Sequence, residues 1–218
     1  MTNLLAEQRR AVVAACAGLV SSGLLRGTSG NVSVRDPSSG LIAMTPSAVP
    51  YGEMTAEHVA VVTAGGEVVE GSMRPTSEAA LHLRVYGARP EVRAVVHTHS
   101  VFATTFAALR EPIPPVHYLL ARAGSAPRVA EYARFGTDEL AANCVAALGT
   151  GDAVLLANHG VVAVGAILGD AMAVAEAVET SAEIAWRARL AGRPVLLTEE
   201  QMADAVAAFS TYRQTPRA

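Results

Sequence analysis

The chain has 218 residues, 51% apolar and 17% charged, and a formal net charge of −3. That length allows one well-buried core and that composition excludes disorder, while the slight acidity offers no basic field to nucleic acid or an anionic membrane. Every cationic side chain is an arginine, which excludes a lysine imine, and the two cysteines, Cys16 and Cys144, have no CxxC spacing, which argues against a disulfide framework or a Cys-rich zinc site.

Residues 3–21 read as a helix, with Leu5, Val12, Cys16 and Leu19 on one stripe and Glu7, Gln8 and Arg10 elsewhere. Arg9 and Arg10 before the apolar run 11–20 imitate a signal peptide, but the run is too short to span a bilayer and continues the helical pattern. A buried first helix and a cytoplasmic location are expected. Ser21-Ser22-Gly23 ends the helix, and the small-residue loop from Arg26 to Asn31 leads into a strand at 32–34. A second strand is expected at 41–44, then a hairpin of 59–63 and 67–69 joined by Ala64-Gly65-Gly66. Pro75-Thr76-Ser77-Glu78 opens a helix that runs to about residue 88, where Pro90 stops it. A strand at 94–97 runs into His99, and a helix at 100–109 follows. The segment 111–136 has prolines at 112, 114, 115 and 127 and no clear period, a length that suits function or an interface. Thr137 caps a helix to about residue 148; strands at 153–157 and 161–164 are joined by Asn158-His159-Gly160; helices near 168–191 and 198–209 finish the chain. No repeat or linker divides it. The expectation is one domain over 1–218, a three-layer α/β/α sandwich with a central, largely antiparallel sheet.

His97-Thr98-His99 carries the strongest chemical signal. Residues two apart on a strand project to one face, so both imidazoles can converge on one ion. His159, also at a strand end and beside a glycine that lets the backbone turn, completes a three-histidine set of the kind that catalytic zinc uses. Glu78 reads either as a carboxylate complementing a helix dipole or as a fourth ligand or base. Thr76 and Ser77 beside it, with the exposed N–H groups of a helix start, are parts of an anion site. Gly27-Thr28-Ser29-Gly30-Asn31 is a second place where amides can approach phosphate, without the lysine or spacing of a Walker loop. His58 and His82 read as structural, and the role of His117 is open.

Taken in order, Gly27 to Ser33, Thr45-Pro46-Ser47, Pro75 to Glu78, His97-Thr98-His99 and Asn158-His159-Gly160 resemble the class II aldolase/adducin-head family over nearly the whole chain. The resemblance implies an α/β/α fold and zinc, or manganese or cobalt, held by His97, His99, His159 and Glu78. It also implies a phosphate site of Thr28, Asn31, Ser47, Ala48, Thr76 and Ser77. Glu78 and Tyr118 would be the catalytic residues, Tyr118 reaching in from a neighbouring subunit of a C4 homotetramer, and Tyr212 would approach the pocket. The implied reaction cleaves an L-fuculose 1-phosphate-like ketose phosphate to dihydroxyacetone phosphate and an aldehyde through a metal-stabilised enediolate. Related 4-epimerases, dehydratases, decarboxylases and a non-catalytic adducin-like module are the alternatives; the module tends to lose the metal histidines, and the epimerases usually carry Asp where this chain has Glu78. Two departures stand out: Ala48 where the aldolases usually have glycine, and a divergent stretch between Arg122 and Ala133.

Overall fold

The computed structural model describes residues 4–124 and 126–211. The first helix, α1 (Ala6–Ser21), buries Val12, Cys16 and Leu19 as the stripe requires. It also buries Arg9, whose guanidinium reaches the Glu70 carboxylate and the Ala56 and Glu57 carbonyls and so pairs the charge it takes out of water. The two cysteines are free and buried, and burial pushes both thiols up to about 12. No helix among the described residues is long and apolar enough to cross a membrane.

Eight strands form one sheet: β1 (Asn31–Arg35), β2 (Ile42–Met44), β3 (Ala60–Val62), β4 (Val68–Glu70), β5 (Ala94–Thr98), β6 (Arg128–Ala130), β7 (Ala153–Leu156) and β8 (Gly160–Gly165). Their order is β4-β3-β2-β1-β5-β8-β7-β6, and every pairing is antiparallel except β6 with β7. Alternation along the strands separates two cores. Val32, Ala43, Val96, Leu155 and Ala163 face one side, with α1, α3 (Val101–Leu109) and α5 (Leu168–Ala191). Ile42, Met44, Val95, Leu156 and Val162 face the other, with α2 (Ala79–Ala88) and α4 (Asp138–Leu148). The result is the helix–sheet–helix sandwich expected from the pattern, with α6 (Glu199–Thr211) at the end of the described chain.

Two local expectations shift. The segment 111–136 is not structureless: it holds a 3₁₀ helix, Tyr118–Ala123, and the three-residue strand β6, too short to leave a periodic trace. The helix expected from Pro75 begins only at Ala79, so Glu78 stands at its N-cap position and makes no capping hydrogen bond. Its carboxylate is turned to other partners.

Candidate metal centre

The site forms at one end of the central strands. On β5, His97 shares the α2 side of the sheet with Val95, and His99 follows two residues later on the same side. The neighbouring strand β8 starts at Gly160, and pairing of Thr98 with Val161 places the β7–β8 turn directly beside the two histidines. His159 therefore meets them from the adjacent strand. The ring centroids of the three histidines lie 4.8, 4.8 and 4.9 Å apart, with planes steeply inclined to one another.

The turn is built differently from what its glycine suggests. Asn158, not Gly160, takes the left-handed conformation, at φ 54°. Gly160 is needed for space: a methyl there would overlap the Thr98 carbonyl and stand 3.0 Å from the His99 ring and 3.2 Å from the His97 ring. Because the closest obstacle is sheet backbone, Gly160→Ala is expected to cost about 3 kcal/mol of stability in urea unfolding. It should also weaken binding of an added divalent cation about 10–100-fold in calorimetric titration, since the rings must move apart.

Glu78 closes the cluster. Its Oε2 is 3.2 Å from His97 Nε2 and its Oε1 is 3.4 Å from His159 Nε2. His97 Nε2 and His99 Nε2 are 3.0 Å apart, and His97 donates its Nδ1–H to the Val161 carbonyl at 2.9 Å, which turns Nε2 toward the cluster. The ligand atoms of all four residues lie within 4.8 Å of one another, the one such convergence of three or more His, Cys, Asp or Glu side chains among the described residues.

Electrostatics agree with a cation site. Burial alone would raise the Glu78 carboxyl, but the charge and hydrogen bond of His97, then His159 and Asn31, outweigh it and hold the group well below the usual carboxylate range. Burial, with repulsion from His97, pulls His99 and His159 down to about 4, so both rings are neutral lone-pair donors near neutral pH. Glu78 Oε1 is buried without a hydrogen-bond partner. An ionised oxygen so placed is costly unless a cation meets it. Three imidazole nitrogens and one carboxylate oxygen suit a divalent ion with borderline preference.

A cavity of about 470 Å³ opens on this cluster, and Thr28, Asn31, Ser47, Ala48, Thr76 and Ser77 all line it together with Glu78, His99 and His159. Its polar wall consists of two loops tied by backbone: Thr76 N–H donates to the Thr45 carbonyl and Ser47 N–H to the Arg74 carbonyl, each at 2.9 Å. No Arg among the described residues lines the cavity. One amide N–H of Asn31 is committed to Glu78 Oε2 at 2.9 Å. Ala48 is held left-handed, at φ 59°. Relieving that strain, Ala48→Gly is expected to raise unfolding stability by about 0.5–1 kcal/mol, net of the added freedom of the unfolded chain, read as a higher urea midpoint.

The lining also holds residues that the motifs did not single out: Tyr132, Ala133 and Phe135. The following Gly136 packs tightly against the Ser77 carbonyl, which fixes this segment over the Thr76–Glu78 loop. Tyr132 and Phe135 are more than half exposed, and large aromatic rings exposed at a cavity rim are the signal that could have found them. Tyr118 is not brought into the cavity of its own chain. It is 54% exposed and stacks on Phe209 with ring centroids 6.0 Å apart. Tyr212 lies outside the described residues. A second cavity, about 530 Å³, sits at the other end of β5 and β8 among Arg89, Asp152 and Phe209, away from the histidines.

Residues 10–186 match the family described as class II aldolase and adducin N-terminal domain. The chain is 40% identical over 211 residues to a 5-deoxy-D-ribulose 1-phosphate aldolase of Bacillus thuringiensis serovar kurstaki, spanning 97% of this chain and 99% of that protein. It is 37% identical to the L-fuculose phosphate aldolase of Escherichia coli strain K12 over 206 residues, 93% of this chain and 94% of the other. A solved L-fuculose 1-phosphate aldolase superposes with a TM-score of 0.91 at 40% identity, covering 94% of this chain and 96% of that one.

Proposed function

The chain belongs to the class II aldolase and adducin N-terminal domain family and is a carbon–carbon lyase of the class II aldolase type, and from that premise we propose that it cleaves a ketose 1-phosphate to dihydroxyacetone phosphate and a short aldehyde. The observation that carries this reading is a cavity lined by His99, His159 and Glu78, with His97 buried beside them and one carboxylate oxygen without a hydrogen-bond partner, next to a wall of hydroxyl-bearing residues. The chemistry of the donor set fits zinc, with manganese or cobalt as substitutes.

His97, His99, His159 and Glu78 would hold the ion. Such an ion supplies Lewis acidity toward the hydroxyl and carbonyl oxygens of the substrate. The ketose phosphate group rests on Thr28, Asn31, Ser47, Thr76 and Ser77 and the amide of Ala48; with no Arg among the described lining residues and no Lys in the chain, neutral donors carry it. Glu78 moves the proton at the carbon beside the carbonyl: it removes that proton in the aldol direction and returns it after cleavage. Tyr118 exchanges the proton of the aldehyde oxygen in the cavity of a neighbouring subunit, within a C4 homotetramer. Its exposure and its absence from its own chain's cavity support that placement.

The substrate class is read from the apolar part of the lining. Tyr132, Ala133 and Phe135 offer surface for the aldehyde half that suits a carbon chain ending in a methyl group, the feature shared by a 5-deoxypentulose and a 6-deoxyhexulose 1-phosphate. The 5-deoxy-D-ribulose 1-phosphate and L-fuculose 1-phosphate substrates named for the two relatives are of this kind. The test is an assay of dihydroxyacetone phosphate released from each of these two substrates by zinc-loaded protein, with and without chelator. Release that disappears with the metal supports the reading. No release from either substrate, or release indifferent to chelation, overturns it.

A further inference from the structure

A line of buried polar side chains leads away from the metal centre between α2 and β1. Glu78, His82 and Tyr86 recur every four residues on one face of α2, and Asn31 and Ser33 alternate on the facing side of β1. All five are at most 6% exposed. Asn31 Nδ2 donates to Glu78 Oε2 at 2.9 Å; Asn31 Oδ1 meets His82 Nε2 at 2.5 Å; Ser33 Oγ meets His82 Nδ1 at 2.6 Å and the Tyr86 hydroxyl at 2.8 Å.

The donors and acceptors along this line have one consistent arrangement. The Asn31 amide turns its nitrogen to the carboxylate, so its oxygen faces His82 and must accept. His82 Nε2 therefore carries the hydrogen and Nδ1 accepts from Ser33, whose oxygen accepts in turn from Tyr86. Burial above all, and the charge of His97, pull His82 down to about 3, so the ring holds a single proton and cannot donate from both nitrogens. Turning Asn31 over would set its oxygen against the Glu78 carboxylate, two acceptors with no hydrogen between them. Buried polar contacts are costly unless each pairs a donor with an acceptor, and the contacts along this line do so only in this direction, with Glu78 Oε1 left outside it.

We propose that His82 is a positioning residue: its Nε2–H locks the Asn31 amide, and Asn31 thereby holds Glu78 by one oxygen while the other is left bare toward the three imidazoles. Ser33 and Tyr86 set the ring's tautomer. The proposal deepens the role given to Glu78 above and rests on that reading. It assigns to a histidine outside the ligand set control over how the carboxylate is presented, both to the ion and to the carbon whose proton it moves.

The test has a metal-free and a metal-loaded arm. In the full-length metal-free protein, nitrogen-15 imidazole spectra should show His82 neutral with its hydrogen on Nε2. His82→Leu should weaken zinc binding roughly 10–100-fold by calorimetry and lower kcat by a similar factor with little change in KM, while His82→Gln, which can still donate to Asn31, should recover most of both. Should His82→Leu fail to fold by circular dichroism, Ser33→Ala carries the same test with less change in volume: a second His82 tautomer should emerge and zinc affinity should fall roughly tenfold. A hydrogen on Nδ1 in the parent, unchanged zinc affinity in the folded variants, or a His82→Gln as impaired as His82→Leu would each overturn the proposal. A parent that shows this dependence of zinc affinity on His82 but releases no dihydroxyacetone phosphate overturns the substrate reading instead and leaves the positioning role standing.

Discussion

His159→Ala is expected to leave a folded protein that no longer retains zinc and cleaves at least about 1000-fold more slowly. The loss of Lewis acidity removes several kcal/mol of stabilisation from the developing oxyanion, and about 1.4 kcal/mol is a factor of ten. The fold should survive because His159 sits in the β7–β8 turn with its side chain 11% exposed at the cavity, outside both apolar cores. Its removal takes one of three imidazole nitrogen donors and leaves Glu78 Oε1 without its neighbour at 3.4 Å. Zinc content by elemental analysis and dihydroxyacetone phosphate release on the same sample check both halves. A variant with one tightly held zinc and a normal rate would place the ion elsewhere.

Glu78→Gln separates binding from proton transfer. The amide keeps the shape of the side chain and can still offer one oxygen to the cation, so zinc should be retained with reduced affinity. It cannot take up a proton, and a positioned general base contributes roughly 100- to 10,000-fold. The expected result is a fall in kcat of that size with KM nearly constant. Exchange of the carbon-bound proton of dihydroxyacetone phosphate with deuterated solvent should fail in the same variant, because it needs the base and no aldehyde. Exchange at the parental rate would assign that proton to another group.

Much of this site was readable along the chain because its signals are local. Two histidines at i and i+2 on an apolar strand can only share a face, and the second strand end at Asn158-His159-Gly160 offered a third. What no local pattern contained was register. The pairing of Asn31 with His97 across β1 and β5 brings the loop before β1 to the metal centre, and nothing near either residue announces it. His82 looks structural in sequence for that reason: its partners Asn31 and Ser33 lie on another element. Gly160 was noticed for the wrong property, since freedom at φ belongs to Asn158 and Gly160 supplies clearance. The start of α2 was placed early because Pro75 is a good first helical residue, whereas backbone bonds between Thr76 and Thr45 hold that segment in the cavity wall.

The central strands β1, β5 and β8 join the first, middle and last parts of the chain, and the four ligands become neighbours only when β5 lies against β8. An ion at this site would therefore recognise the finished sheet and find no equivalent in the unfolded polypeptide. Holding the folded form by mass action, an ion at a hundred times its dissociation constant would add about 2.7 kcal/mol to the free energy of unfolding. Metal supply and survival of the native chain are thereby linked, independently of turnover.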